Sequence, residues 1–229
     1  MDERLVRATR AYRLGDFKAC LSILDDVDST LVNHLDLAYL LGLSHSRLGN
    51  WDTALLYLEQ VVTGSDEFLR SCQCRLVLAF IYSRTGRNKL AEYELKQLSS
   101  SGYESVLVCS GLGYSAWAQG RTDDAIEWYG KALELEAGNA NALNGLGYVL
   151  ASSGRDLVRA LDYCRRALAS SPENPAYLDS LGWACFKAGR ISEAREMIAA
   201  ALQRAPGESE ILKHARALAG GAAAADAHP

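Results

Sequence analysis

The chain has 229 residues, 49% of them hydrophobic and 23% charged, values that exclude wholesale disorder and allow one or two domains with a real core. Ala and Leu supply 69 residues against 16 for Val plus Ile, and no proline precedes Pro172, so an all-β sandwich is poorly supported and an all-α chain is expected. With 24 Lys+Arg against 28 Asp+Glu, a formal charge of −4, and no basic run longer than Arg165-Arg166, nothing concentrates the positive charge that nucleic-acid binding needs.

The first residues, MDERLVRATRAYRLGDF, are charged from the second position and do not read as a signal peptide. No run approaches the ~18 apolar residues of a membrane span. Six cysteines without a secretory signal read as free thiols, and a cytoplasmic location is the expectation.

Taken in chain order, the sequence repeats itself. A glycine followed by a polar residue recurs at Gly15, Gly49, Gly86, Gly120, Gly154 and Gly189, with spacings of 34, 37, 34, 34 and 35. Each lies between two apolar-periodic stretches of about a dozen residues, the mark of a helix stop, a tight turn and a helix start. Frames beginning at Met1, Leu35, Cys72, Val106, Ala140 and Pro175 place Ala8, Gly42, Ala79, Gly113, Gly147 and Gly182 at their eighth position. The second halves carry Cys20, Ala54, Ala91, Ala125, Ala160 and Ala194, and small residues on both helices let their backbones cross closely.

This pattern resembles the tetratricopeptide repeat, most plainly in ALNGLGYVLASSGR and AYLDSLGWACFKAGRISEAREMIAAALQRAPGE. The resemblance implies an all-α, right-handed superhelical solenoid of six helix-turn-helix repeats with a C-terminal capping helix. The repeats run over 1–34, 35–68, 72–105, 106–139, 140–174 and 175–208. A cap at 208–219 completes a single solenoid over 1–219, and 220–229 is expected to be a flexible tail. The departures are three extra residues near Phe68–Ser71, one in the turn between Gly154 and Ala160, and Arg4 and Arg75 where a large residue is usual.

Candidate chemistry is sparse. GLGYSA at 111–116 has dinucleotide-turn spacing, but GLGYVL lies one repeat later and both fall mid-helix, so close packing explains them. Cys72 and Cys74 would diverge on a helix, with no second pair at zinc spacing, and no metal or cofactor is expected. The expectation is that the chain is not an enzyme.

The informative constellation is aromatic: Phe80, Tyr114, Tyr148 and Trp183 occupy the ninth position of successive frames, with Trp117 and Phe186 one turn further on. In the family, positions two, five, nine and twelve of the first helix line a concave groove. That resemblance implies a partner-binding strip of Phe80, Tyr114, Trp117, Asn141, Asn144, Tyr148, Asp179, Trp183 and Phe186, accompanied by Tyr39, Leu43, Leu76, Leu107 and Ser110. Rings ringed by a few polar groups suit a peptide, helix or partner domain. The fifth positions hold no Lys and the ninth no Asn, so the carboxylate clamp of some relatives is not expected, while Arg47, Arg84 and Lys187 near the rim leave an acidic ligand open. The expected function is a non-catalytic protein-binding scaffold; the alternative is a homo-oligomer that buries the same face.

Overall fold

The computed structural model describes residues 3–27 and 32–225, with side chains to Gly220. Residues 28–31, at the end of the first copy, lie outside the described residues. Thirteen helices and no strand are found among the described residues: α1 (Glu3–Arg13), α2 (Phe17–Asp25), α3 (His34–Arg47), α4 (Trp51–Gly64), α5 (Phe68–Arg84), α6 (Asn88–Ser100), α7 (Val106–Ala118), α8 (Thr122–Leu135), α9 (Ala140–Ser153), α10 (Leu157–Ser170), α11 (Pro175–Lys187), α12 (Ile191–Arg204) and α13 (Ser209–Ala225). They form two compact units, Met1–Glu104 with α1–α6 and Ser105–Pro229 with α7–α13.

In both units consecutive helices pair across a glycine turn. Gly154 shows why glycine is needed there: it ends α9 at φ +69°, a left-handed conformation that costs an L side chain about 1–2 kcal/mol. Several helix starts are set by short polar side chains. Asn139 and Asn174 accept from the backbone N–H of Ala142 and Ala176, and Pro175 occupies the first turn of α11.

The crossing residues stand where the repeat register puts them. Cys20, Ala54, Ala91, Ala125, Ala160 and Ala194 have no exposed surface at all. A Cβ added at Gly147 would lie 2.6 Å from Cys164 Sγ and 3.0 Å from the Ala160 carbonyl oxygen; one at Gly182 would lie 2.6 Å from Ile198. The helices therefore touch backbone to side chain, and a methyl group cannot be inserted. Gly113 is locked likewise against Tyr129 at 2.8 Å, which removes GLGYSA from any phosphate-binding context. Gly145 does the same at 2.3 Å from the other edge of the Tyr129 ring.

The irregularities of the repeat each have a local solution. The extra residues at Phe68–Ser71 do not form a loop; they add a turn to the start of α5, which runs for 17 residues. The extra residue after Gly154 is absorbed by Asp156, the sole non-glycine residue with positive φ (41°) among the described residues, whose carboxylate caps α10 at Arg159 N–H. The last helix runs to Ala225 instead of stopping at 219. Residues 220–225 of the expected flexible tail are thus helical, as an alanine run favours, and 226–229 lie outside the described residues.

The six cysteines are free and buried. Burial pushes the Cys74 and Cys164 thiols up to about 12, which keeps them protonated and unreactive near neutrality.

Two glycine substitutions should act in opposite directions. Gly147→Ala is expected to destabilise by about 1–3 kcal/mol in urea unfolding, because neither Cys164 nor the Ala160 carbonyl can withdraw. Gly130→Ala in α8, where an added Cβ meets nothing within 4 Å, is expected to stabilise by about 0.5–1 kcal/mol.

Candidate functional site

In the first unit the strip residues lie on α3 and α5. Leu43 is core at 2% exposure, whereas Phe80 is half exposed and meets the edge of Trp51, ring centroids 5.9 Å apart. Tyr39 is tied down: its hydroxyl donates to Gln73 at 2.6 Å, and the Arg70 guanidinium lies 5.1 Å from its ring while pairing with Asp36. Phe80 is the one ring of this unit's strip that remains open.

The second unit carries the rest on α7, α9 and α11, which pack in that order. The strip residues come together there, but their surroundings differ sharply from one end to the other. At the α7 end, Leu107 is 65% and Tyr114 46% exposed. Trp117, half buried, meets Tyr148 edge-on at 6.0 Å and 89°. This end is an exposed apolar surface backed by a fixed aromatic pair.

At the α11 end the same strip is covered by α13. His214 stacks on Trp183 with centroids 4.2 Å apart and planes 18° from parallel. Its Nδ1 lies 2.8 Å from Asp179 Oδ2, and both side chains are nearly buried. Tyr148 donates to Glu210 Oε1 at 3.1 Å and lies 3.4 Å from His214 Nε2. Trp183 donates from its indole to Ser152 Oγ at 2.9 Å and leans on Phe186 at 5.3 Å. Asn141 accepts from Tyr177 at 2.6 Å. The fifth-position row Ser110, Asn144 and Asp179 is turned inward, and each retains one buried oxygen without a hydrogen-bond partner.

The electrostatics of this cluster follow from that enclosure. Burial, reinforced by the Glu210 charge, holds the Tyr148 hydroxyl above its ordinary value, so it remains a donor. Burial also pushes Glu210 upward, but hydrogen bonds from Lys213 and Tyr148 outweigh it and leave the carboxyl below its ordinary value. Asp179 and His214 thus engage each other away from solvent, while Glu210, 47% exposed, spans from Tyr148 and His214 to Lys213 at the surface.

Glu210 and His214 were not among the residues that the sequence singled out. Their signal was the repeat period itself, since His214 follows Asp179 by 35 residues, one repeat on, so the capping helix continues the register of the strip.

Comparison with known proteins agrees with the helix pairing. Tetratricopeptide repeat models match residues 36–63, 110–175 and 155–219, together more than half of the chain. The chain belongs to the tetratricopeptide repeat family. It is 38% identical over 82 residues, 36% of its length, to the TPR repeat-containing protein PA4667 of Pseudomonas aeruginosa. It spans only 14% of that protein, and 23–45% of the other curated relatives it matches. Among solved structures it superposes on the APC/C hetero-tetramer Cut9-Hcn1 with a TM-score of 0.74 at 15% identity, covering 94% of this chain and 42% of that one. It superposes on YrrB, described as a TPR protein with an unusual peptide-binding site, with a TM-score of 0.55 at 17% identity over 80% and 90% of the two chains. Proteins of this family mediate protein–protein contacts. No helix among the described residues is long and apolar enough to cross a membrane.

The two ends of the strip should separate in stability measurements. His214→Ala leaves the Asp179 carboxylate buried with neither oxygen paired and is expected to cost about 3 kcal/mol, part of which Asp179→Asn in the same background restores. Tyr114→Ala, exposed, should change stability by less than about 0.5 kcal/mol.

Proposed function

We propose that the chain is a non-catalytic binding module that captures a peptide, helix or partner domain on the exposed part of its aromatic strip. The observation that carries this reading is the α7 surface, where Leu107 and Tyr114, two helical turns apart on one face, stand exposed while Trp117 on the same helix meets Tyr148 edge-on. Exposed aromatic and aliphatic area on a rigid helix, backed by a fixed ring, is the material of an interaction hot spot. The engagement of Asp179, Glu210 and His214 with one another supports a structural use of these side chains. The helix pairing shared with YrrB and with the Cut9 assembly supports the same reading.

The α11 end plays a different part in this proposal. Tyr148, Asp179 and Trp183 hold α13 in place and keep the wall of the site rigid, while Leu107 and Tyr114 of the same unit meet the partner.

The test is capture from a cell lysate with mass spectrometry, alongside light scattering over a concentration series. A Leu107→Ser, Tyr114→Ala variant should lose the captured partner with a melting temperature within about 2 °C of wild type. Capture that survives the double substitution would sink the proposal. A mass that rises with concentration in wild type and not in the variant would make the occupant a second copy of the chain.

A further inference from the structure

The three extra residues at Phe68–Ser71 and the charged Arg75 mark the third copy as different, and the structure shows both lining one cleft. Its volume is about 460 Å³, and Val62, Ser65 and Asp66 from the end of α4, Phe68, Ser71, Cys72 and Arg75 on α5, and Gln97, Ser100 and Ser101 at the end of α6 line it. The cleft lies wholly within the first unit.

Arg75 takes a position held in four of the other five copies by Ala38, Cys109, Leu143 and Leu178, all buried and apolar, the first copy carrying an exposed Arg4 there. It pairs with Glu94 at 2.6 Å, and burial pushes the Glu94 carboxyl above its ordinary value even against that partner. An ion pair in place of an apolar contact adds little stability by itself. It does supply a polar floor whose positive charge is already matched.

The remaining groups offer acceptors. Ser71, Ser100 and Ser101 each donate their hydroxyl proton to a backbone carbonyl, of Ser65, Gln97 and Leu98 respectively, so that each oxygen retains its lone pairs. Asp66 is exposed and in no ion pair among the described residues. Helices α4 and α6 both end at the cleft while only α5 begins there, and their partial charges sum to about half a negative charge. Phe68, 51% exposed, and Val62 add an apolar wall. Acceptors, one free carboxylate, negative helix ends and an aromatic face together suit a cation carried on an alkyl stem.

We propose that this cleft binds an alkyl ammonium or guanidinium group, presented either as a lysine or arginine side chain of a partner or as a free polyamine. The site is independent of the aromatic strip and stands or falls separately from it.

The test uses the full chain, isotopically labelled, with backbone amide shifts followed by NMR at physiological salt. Three probes are titrated: spermidine, acetyl-Gly-Lys-Gly-amide and acetyl-Gly-Glu-Gly-amide. Saturable shifts confined to the amides of Ser65, Ser71, Gln97 and Ser101 are expected with spermidine, with the lysine peptide, or with both. Shifts with the lysine peptide assign the cleft to a partner's side chain, and shifts with spermidine alone assign it to the free amine. Asp66→Asn should weaken binding about threefold. Ser100→Arg, at an exposed position in the last turn of a helix that tolerates a cation, should abolish it by placing a tethered guanidinium in the cleft. Equal shifts with the glutamate peptide, no shift with either cationic probe, or undiminished binding to Ser100→Arg would overturn the proposal.

Discussion

Two helices can pair only as closely as the residues at their crossing permit, and here that permission comes from alanine, glycine and cysteine. The zero exposure of Ala54, Ala91, Ala125, Ala160 and Ala194, and the 2.6 Å that an added methyl would leave at Gly147 and Gly182, fix each pair at one separation. Everything else is geometry that follows. Once each crossing is set, the ninth residue of every first helix falls on the same side of its unit, and the aromatic strip becomes a property of the register and not of any single ring. Within each unit a strip built this way is held by packing, because the crossings cannot slide without a collision.

That rigidity leaves the question of what faces the strip. At the α11 end the protein supplies its own answer: α13 continues the repeat register and lays Glu210 and His214 across Tyr148, Asp179 and Trp183. A terminal repeat must cover the apolar face that a following repeat would have covered, and in this chain the covering helix also satisfies one oxygen of a buried carboxylate. At the α7 end no such side chains are laid over Leu107 and Tyr114. Residues of the same strip therefore stand in two settings, packed beneath α13 at one end and exposed at the other.

Much of this was legible in the sequence, because the strongest constraints are local and repeated. The turn glycines, the small crossing residues and the strip register all recur at about 34 residues, so each is visible several times over. What depended on distant packing was not legible. Tyr114 and Trp183 both stand at the ninth position, yet Tyr114 is 46% exposed while Trp183 is packed beneath His214, and the placement of α13 makes the difference. The insertion at Phe68–Ser71 could be counted but not shaped: a loop and an extra helical turn have the same length in sequence. Likewise Arg75 stood out as a charge in an apolar position, but its partner Glu94 lies on the next helix, and no sequence spacing announces that pair.

The account's central claim is that α13 is an integral wall of the second unit and not a frayed end. Native-state hydrogen exchange of the backbone amides tests it most directly. If the claim holds, the amides around Ile211, His214 and Leu218 are protected to nearly the same free energy as those in the middle of α11 and α12, and His214→Ala lowers α13 protection more than that of any other helix. Exchange of α13 at rates near those of an unstructured peptide, with α11 and α12 still protected, would contradict it.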